Sequence, residues 1–204
     1  MAVAILALQG AFIEHKKKLE TLGAECFEIR QASDLERPFD RLVLPGGEST
    51  TQAKLLHELG LMGPLRKRIE EGIPVLATCA GLILLAETVD GTGDLDNLNP
   101  AAAQNRLQVK GLGTMPITVR RNAYGRQLGS FHAEGRWEDE AVPLTFIRAP
   151  RIEALGSDVE PLVTLNDAPV AVRYRNQIAA AFHPELDDDH RLYEALLAPL
   201  KRAY

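Results

Sequence analysis

The 204-residue sequence predicts an α/β fold built on an open, mostly parallel sheet with helices on both faces. Three features point there. Short unbroken apolar runs alternate with amphipathic stretches through the first half, and each run stops at a Gly, Pro-Gly or Cys-Ala-Gly element. The second half is strand-rich, yet no linker or compositional break separates it from the first. Unbroken apolar runs mark strands covered on both faces, and strand–helix alternation makes parallel βαβ units in three layers. One domain over residues 1–204 follows from the length and the missing linker.

Each element has its own justification. Residues 2–8 (Ala-Val-Ala-Ile-Leu-Ala-Leu) form the first strand, ending at Gln9-Gly10. Residues 11–22 read as a helix that Gly23 stops. A second strand covers 24–29, and a third covers 41–44, cut off by Pro45-Gly46-Gly47. Helices follow around 52–59 and 65–71, with Gly72 as the stop. A fourth strand at 73–78 runs directly into Cys79-Ala80-Gly81 and an apolar helix at 82–86. The later strands are 116–119, 144–147, 162–165, 170–172 and 178–182, divided by turn residues. A closing helix spans 189–202, with Asp187 or Asp188 as its cap. Residues 90–108 are rich in Gly, Asn, Asp and Ala, show no clear period, and read as a surface excursion.

Composition bounds the function. Hydrophobic residues are 46% and charged residues 25%, the balance of an ordinary globular protein with a real core. The net charge of −5 argues against nucleic acid or an anionic membrane surface as the main partner. Two cysteines, Cys26 and Cys79, exclude both a disulfide framework and a four-thiolate zinc site. The apolar stretches 1–8 and 75–86 are too short to span a bilayer, and no basic segment precedes the first. A cytoplasmic setting is therefore expected.

Three short segments carry possible chemistry. Cys79 sits between a buried strand and a helix opened by two small residues, the layout of a nucleophile elbow; the bland reading is a small buried hydrophobe. Phe182-His183-Pro184-Glu185 lies past another strand. With extended backbone there, Glu185 faces the same side as His183 and can orient its imidazole as a general base; alone, a surface histidine is the simpler account. Pro45-Gly46-Gly47-Glu48-Ser49-Thr50 frees backbone N–H groups to face an oxyanion or phosphate, and it lacks the Lys-Ser/Thr of a P-loop. All three fall at carboxyl ends of predicted strands, where ligands collect in such sheets. A nucleophile, an oriented base and an oxyanion donor together make an acyl-transfer site. Cys26 reads as core, and His15, His57, His132 and His190 as structural or exposed.

These segments resemble the landmarks of class I (triad) glutamine amidotransferase domains, whose sheet is flavodoxin-like. Leu6-Ala-Leu-Gln-Gly-Ala11, Arg121-Asn-Ala-Tyr-Gly-Arg-Gln127, Phe146-Ile-Arg-Ala-Pro150 and Ala181-Phe-His-Pro-Glu-Leu186 are similar to one branch of that family, the glutaminase subunits of pyridoxal 5′-phosphate synthase. The similarity runs from residue 3 to about 195. Three departures stand out: Ala77 in place of the usual glycine before the elbow, Tyr124 in place of phenylalanine, and a longer stretch around 92–108.

The resemblance implies hydrolysis of L-glutamine to L-glutamate and ammonia through a thioester on Cys79. His183 acts as base and then acid, and Glu185 orients it. The oxyanion hole consists of the N–H groups of Gly47 and Ala80. Glutamine contacts fall on Gly47, Glu48, Ser49, Arg121, Ile147 and Arg148. The family implies no metal or organic cofactor, and it implies a synthase subunit that receives the ammonia and switches the glutaminase on. Rival readings are another hydrolase with the same elbow (peptidase or thioesterase), a scaffold that lost the reaction, and a glutaminase serving a different synthase.

Overall fold

The structure is a computed structural model that describes residues 1–90, 111–121 and 129–199. The first half runs β1 (Ala2–Leu6), α1 (Phe12–Thr21), β2 (Glu25–Ile29), β3 (Arg41–Leu44), α2 (Ser49–Glu58), α3 (Met62–Glu70), β4 (Val75–Thr78), α4 (Ala80–Leu85) and β5 (Ala86–Asp90). The second continues with β6 (Met115–Arg120), β7 (Ser130–Trp137), β8 (Glu140–Ile147), β9 (Arg151–Leu155), β10 (Glu160–Leu165), β11 (Ala168–Tyr174), β12 (Gln177–Ala180) and α5 (Arg191–Leu197). Short 3-10 turns occupy Ala32–Glu36 and Pro184–Leu186.

Among the described residues one sheet has nine strands in the order β2-β1-β3-β4-β12-β11-β10-β7-β8. Pairing is parallel from β2 through β12 and antiparallel from β12 outward to β8. The strand-rich second half thus extends the parallel sheet rather than forming a separate unit. A smaller sheet, β5-β6-β9, lies beside it.

The order β2-β1-β3-β4 makes the chain move outward one way after β1 and the other way after β3. Right-handed crossovers then place α1 on one face and α2 and α3 on the other. Helix α5 joins α1, since the Tyr193 hydroxyl bonds the His15 ring at 2.9 Å, and α4 packs on α2. Covered on both faces, β3 and β4 are wholly buried, which is why they are apolar apart from Thr78 and from Arg41, whose guanidinium donates to the Leu196 and Ala198 carbonyls.

Several boundaries differ from the sequence reading, each for a local reason. Helix α2 starts at Ser49, three residues early, because the Glu48 carboxylate caps it by accepting from the N–H groups of Thr50 and Thr51. The closing helix ends at Leu197 rather than 202: Ala198 is extended (φ −55°, ψ 145°) ahead of Pro199, which disfavours helix at the residue before it. Its first N–H groups are served by Asp189, whose Oδ1 accepts from Arg191 N–H, not by Asp187 or Asp188. Strands β5, β7 and β9 were not expected. Residues 91–108 of the predicted excursion and Tyr124 lie outside the described residues. Ala77 sits inside the ladder, opposite Leu44 and Ala179, so the glycine-to-alanine departure needs no wider turn.

Helix α4 begins hard against the end of β3. A Cβ on Gly81 would lie 2.1 Å from the Leu44 carbonyl oxygen, a backbone atom that cannot swing aside. Gly81→Ala is therefore expected to cost about 1–3 kcal/mol through overpacking, read as a lower midpoint in urea unfolding; an unchanged midpoint would show that the elbow is loosely seated.

Candidate active site

Three adjacent parallel strands end level with one another. Leu44 of β3 pairs with Ala77 of β4, which pairs with Ala179 of β12. The segments leaving these strands are Pro45-Gly46-Gly47, Cys79 and Ala181-Phe182-His183, so topology alone delivers all three predicted landmarks to one edge.

Cys79 adopts φ 47°, ψ −100° at the start of α4, a left-handed conformation rare for a residue with a side chain. The strain is held by its surroundings: its N–H donates to the Ala180 carbonyl at 2.8 Å. Its sulfur lies 3.9 Å from the Ile147 carbonyl oxygen at the end of β8. Cys79 is 6% exposed and His183 7%, so the pair is sheltered but reachable.

Gly46 lies against both. A Cβ there would lie 2.6 Å from His183 Cε1 and 3.3 Å from Cys79 Cβ. Only glycine lets the loop after β3 pass this close to both side chains. His183 Nδ1 bonds Glu185 Oε1 at 2.6 Å, and His183 Nε2 is buried without a hydrogen bond of its own. Extended backbone is not what pairs His183 with Glu185. The pair forms instead because His183 bends (φ −109°, ψ 82°) into the 3-10 turn of Pro184–Leu186. The His183 N–H is anchored to the Thr145 carbonyl of β8 at 2.8 Å.

The electrostatics favour the protonated form of His183, the form it reaches on taking a proton from Cys79. Burial pulls the His183 imidazole down, but contact with Cys79 and the bond to Glu185 outweigh it and raise it to about 10. Burial pushes the Glu185 carboxyl up, and His183 and His15 together overcome this and keep it below its usual range.

The predicted glutamine-contact residues gather beside this centre. Glu48 caps α2 and also accepts from Arg121 Nη2 at 3.1 Å, which brings Arg121 from the end of β6 to the Gly46-Gly47 loop. Ser49 is buried at the start of α2. Ile147 presents its carbonyl to the sulfur, and Arg148 follows it with φ 44°. Ala80 opens α4 next to Cys79. Gly47 is packed by Gln9, whose Oε1 accepts from Glu48 N–H at 2.7 Å. The Gly46 carbonyl accepts from Ala11 N–H at 3.1 Å. Across the trans Gly46–Gly47 peptide the Gly47 N–H therefore points away from Ala11.

Four further residues of the site escaped the sequence reading: Gln9, His15, Thr78 and Tyr193. Gln9 follows β1 at the same sheet edge as the other landmarks, a signal that its position in the topology supplies. His15 shares a helical face with Phe12, Leu19 and Leu22 by spacing and is wholly buried. The remaining histidines stay apart from the centre; His132 bonds Thr145. Cys26 is half-buried in β2, and burial raises its thiol to about 11. Among the described residues no group of three or more His, Cys, Asp or Glu could hold a metal ion, and no helix is long and apolar enough to cross a membrane.

An elbow thiol, a carboxylate-bound imidazole and a glycine loop at one sheet edge define a class of enzyme, the thiol-dependent acyl-transfer hydrolases of α/β type. Within that class the chain belongs to the SNO glutamine amidotransferase family, whose model matches residues 5–201. It is 52% identical over 198 residues to the pyridoxal 5′-phosphate synthase subunit PdxT of Desulfitobacterium hafniense, covering 97% of this chain and 92% of that one. The same-named subunit of Methanocorpusculum labreanum is 48% identical, covering 97% and 96%. A crystal structure of a glutamine amidotransferase superposes with TM-score 0.83 at 42% identity, covering 96% of each chain.

The raised His183 makes stability depend on pH. Its contribution is complete below the ordinary value of 6.5 and is lost as pH rises through about 10. Urea unfolding between pH 6 and 10.5 is expected to show this loss, and Glu185→Gln, by removing one of the raising partners, to flatten it. An equal slope in both proteins would place the titration elsewhere.

Proposed function

We propose that the chain hydrolyses L-glutamine to L-glutamate and ammonia, as the glutaminase subunit of a pyridoxal 5′-phosphate synthase. The observation that carries this is His183 in contact with Cys79, both side chains packed against Gly46, with Glu185 bonded to the far side of the imidazole. Family membership and the 52% identity to a synthase subunit support the substrate and the partner.

The Cys79 thiol proton passes to His183, and the sulfur attacks the glutamine side-chain amide carbon. The carbonyl oxygen becomes an oxyanion bonded by the N–H groups of Ala80 and Gly47, each such donor contributing roughly 3 kcal/mol to the transition state. His183 returns the proton to the amide nitrogen, the C–N bond breaks, and ammonia leaves. Water then attacks the thioester, gives its proton to His183, and releases glutamate and the Cys79 thiol. Glu185 keeps the imidazole in the tautomer that this exchange needs. Gly47, Glu48, Ser49, Ile147 and Arg148 line the glutamine. Arg121, already turned toward the Glu48 side of the loop, supplies the cation for its carboxylate.

Ammonia is protonated in bulk water, so its use calls for direct transfer to the synthase subunit. That subunit also acts as activator. The Gly46 carbonyl is held by Ala11 N–H, so docking that engages the β1–α1 loop can set the orientation of the Gly46–Gly47 peptide. A cytoplasmic setting is consistent with two free cysteines.

Ammonia release from glutamine, measured with and without the synthase subunit, tests the reading. We expect release that rises on adding the subunit and disappears in Cys79→Ala; activity retained in that variant would remove the nucleophile. Arg121→Ala is expected to lower kcat/KM for glutamine about 10–100-fold, the range for losing a charge-assisted pair, while iodoacetamide alkylates Cys79 as fast as in the wild type. Unaltered kcat/KM would release Arg121 from the substrate site.

A further inference from the structure

The mechanism leaves a buried histidine unused. His15 lies on α1, is wholly inaccessible, and touches both halves of the site. Its Nε2 is 3.0 Å from Thr78 Oγ1 and 3.4 Å from Glu185 Oε2. Its Nδ1 is 2.9 Å from the Tyr193 hydroxyl. Thr78 Oγ1 in turn accepts from Gly46 N–H at 3.0 Å.

The proton positions follow from chemistry. Burial holds the Tyr193 phenol far above its usual range, so it stays protonated and can donate to Nδ1. Burial also pulls His15 down, which leaves one ring proton at neutral pH. If Nδ1 accepts, that proton is on Nε2. The opposite tautomer would set a lone pair against the ionised Glu185 oxygen 3.4 Å away, which has no hydrogen-bond donor among the described residues. The Nε2–H then donates to Thr78 Oγ1, and the Glu185 oxygen 3.4 Å away faces the positive end of the same N–H without a hydrogen bond of its own.

We propose that His15, in its Nε2–H tautomer set by Tyr193, is a positioning residue that holds Glu185 and the Thr78–Gly46 contact in one frame. It touches neither substrate nor sulfur. Through Glu185 it fixes the orientation of His183, and through Thr78 it fixes the loop that bears the Gly47 N–H, so base and oxyanion donor keep their separation as charge moves between them. The proposal rests on the glutaminase reading above.

The test uses the chain together with its synthase subunit, with ammonia release counted per alkylatable Cys79. His15→Leu keeps the volume and removes the donor; we expect kcat to fall about 10–100-fold, the usual cost of loosening a supporting contact by a fraction of an ångström, with KM nearly unchanged. His15→Gln, which restores an N–H near the Nε2 position, is expected to recover most of kcat. Equal losses in the two variants would reduce His15 to a packing role and overturn the proposal. Should His15→Leu fail to fold, nitrogen–proton correlation spectra of wild-type protein labelled at histidine decide the matter: an Nε2–H tautomer supports the proposal and an Nδ1–H tautomer overturns it. Wild type without Cys79-dependent ammonia release would instead overturn the glutaminase reading, and with it any role of His15 in that reaction.

Discussion

The parallel register of β3, β4 and β12 is the constraint on which everything else depends. Because Leu44, Ala77 and Ala179 share one level, the three segments that leave those strands emerge side by side. Thr78 opposite Ala180 carries the register up to the last strand residue. A slip of one residue in β4 would turn Cys79 to the other face, because side chains alternate along a strand. It would also break the bond from Cys79 N–H to the Ala180 carbonyl. The site is therefore specified less by its own residues than by the packing of buried apolar strands that fix their ends.

Given that register, the local chemistry is a problem of space. Three backbone segments meet where side chains would collide, and glycines stand at the contact points. Gly46 clears the His183 ring, Gly81 clears the Leu44 carbonyl, and Gly10, at φ 100°, clears the Gly46 carbonyl, which a Cβ would meet at 1.8 Å. Cys79 has no such freedom and takes a left-handed backbone while keeping its side chain. The strain sits on the residue that must project from the sheet, and it is held by small neighbours and by the bond from its N–H to the Ala180 carbonyl.

Legibility in the sequence followed the same physics. Strands buried on both faces are continuous apolar runs, and β1, β3, β4 and β12 were readable for that reason. Strands β7 and β9 have one solvated face and carry charges such as Glu134, Arg136, Arg151 and Glu153, so their composition suggested loops. Strand β5 follows α4 without a break and is exposed after Ala86, so no apolar run marks it. The cluster of Cys79, His183, Glu185 and the Gly46-Gly47 loop was visible because each member sits beside a punctuating Gly, Pro or elbow. The supporting layer was not: His15 lies within Glu-His-Lys-Lys-Lys, and only its spacing from Phe12 and Leu19 separates it from that exposed run. Gln9 and Thr78 are ordinary strand-end residues until the sheet order is known.

The supporting layer also explains why so polar a cluster can sit among buried residues. An ionised carboxylate in an apolar surround is costly unless each oxygen finds a partner. Glu185 is met by His183 on one oxygen and approached by His15 on the other, and Tyr193 closes the far side of His15. These partners come from α1, from the turn after β12, and from α5, so satisfying one carboxylate draws two helices on one face of the sheet toward a site opening at its edge. The same chain of bonds reaches Gly46 through Thr78. A displacement of α1 thus cannot move the Glu185 carboxylate without also moving the Gly46-Gly47 loop, because one buried imidazole touches both Glu185 and the Thr78 hydroxyl that holds Gly46.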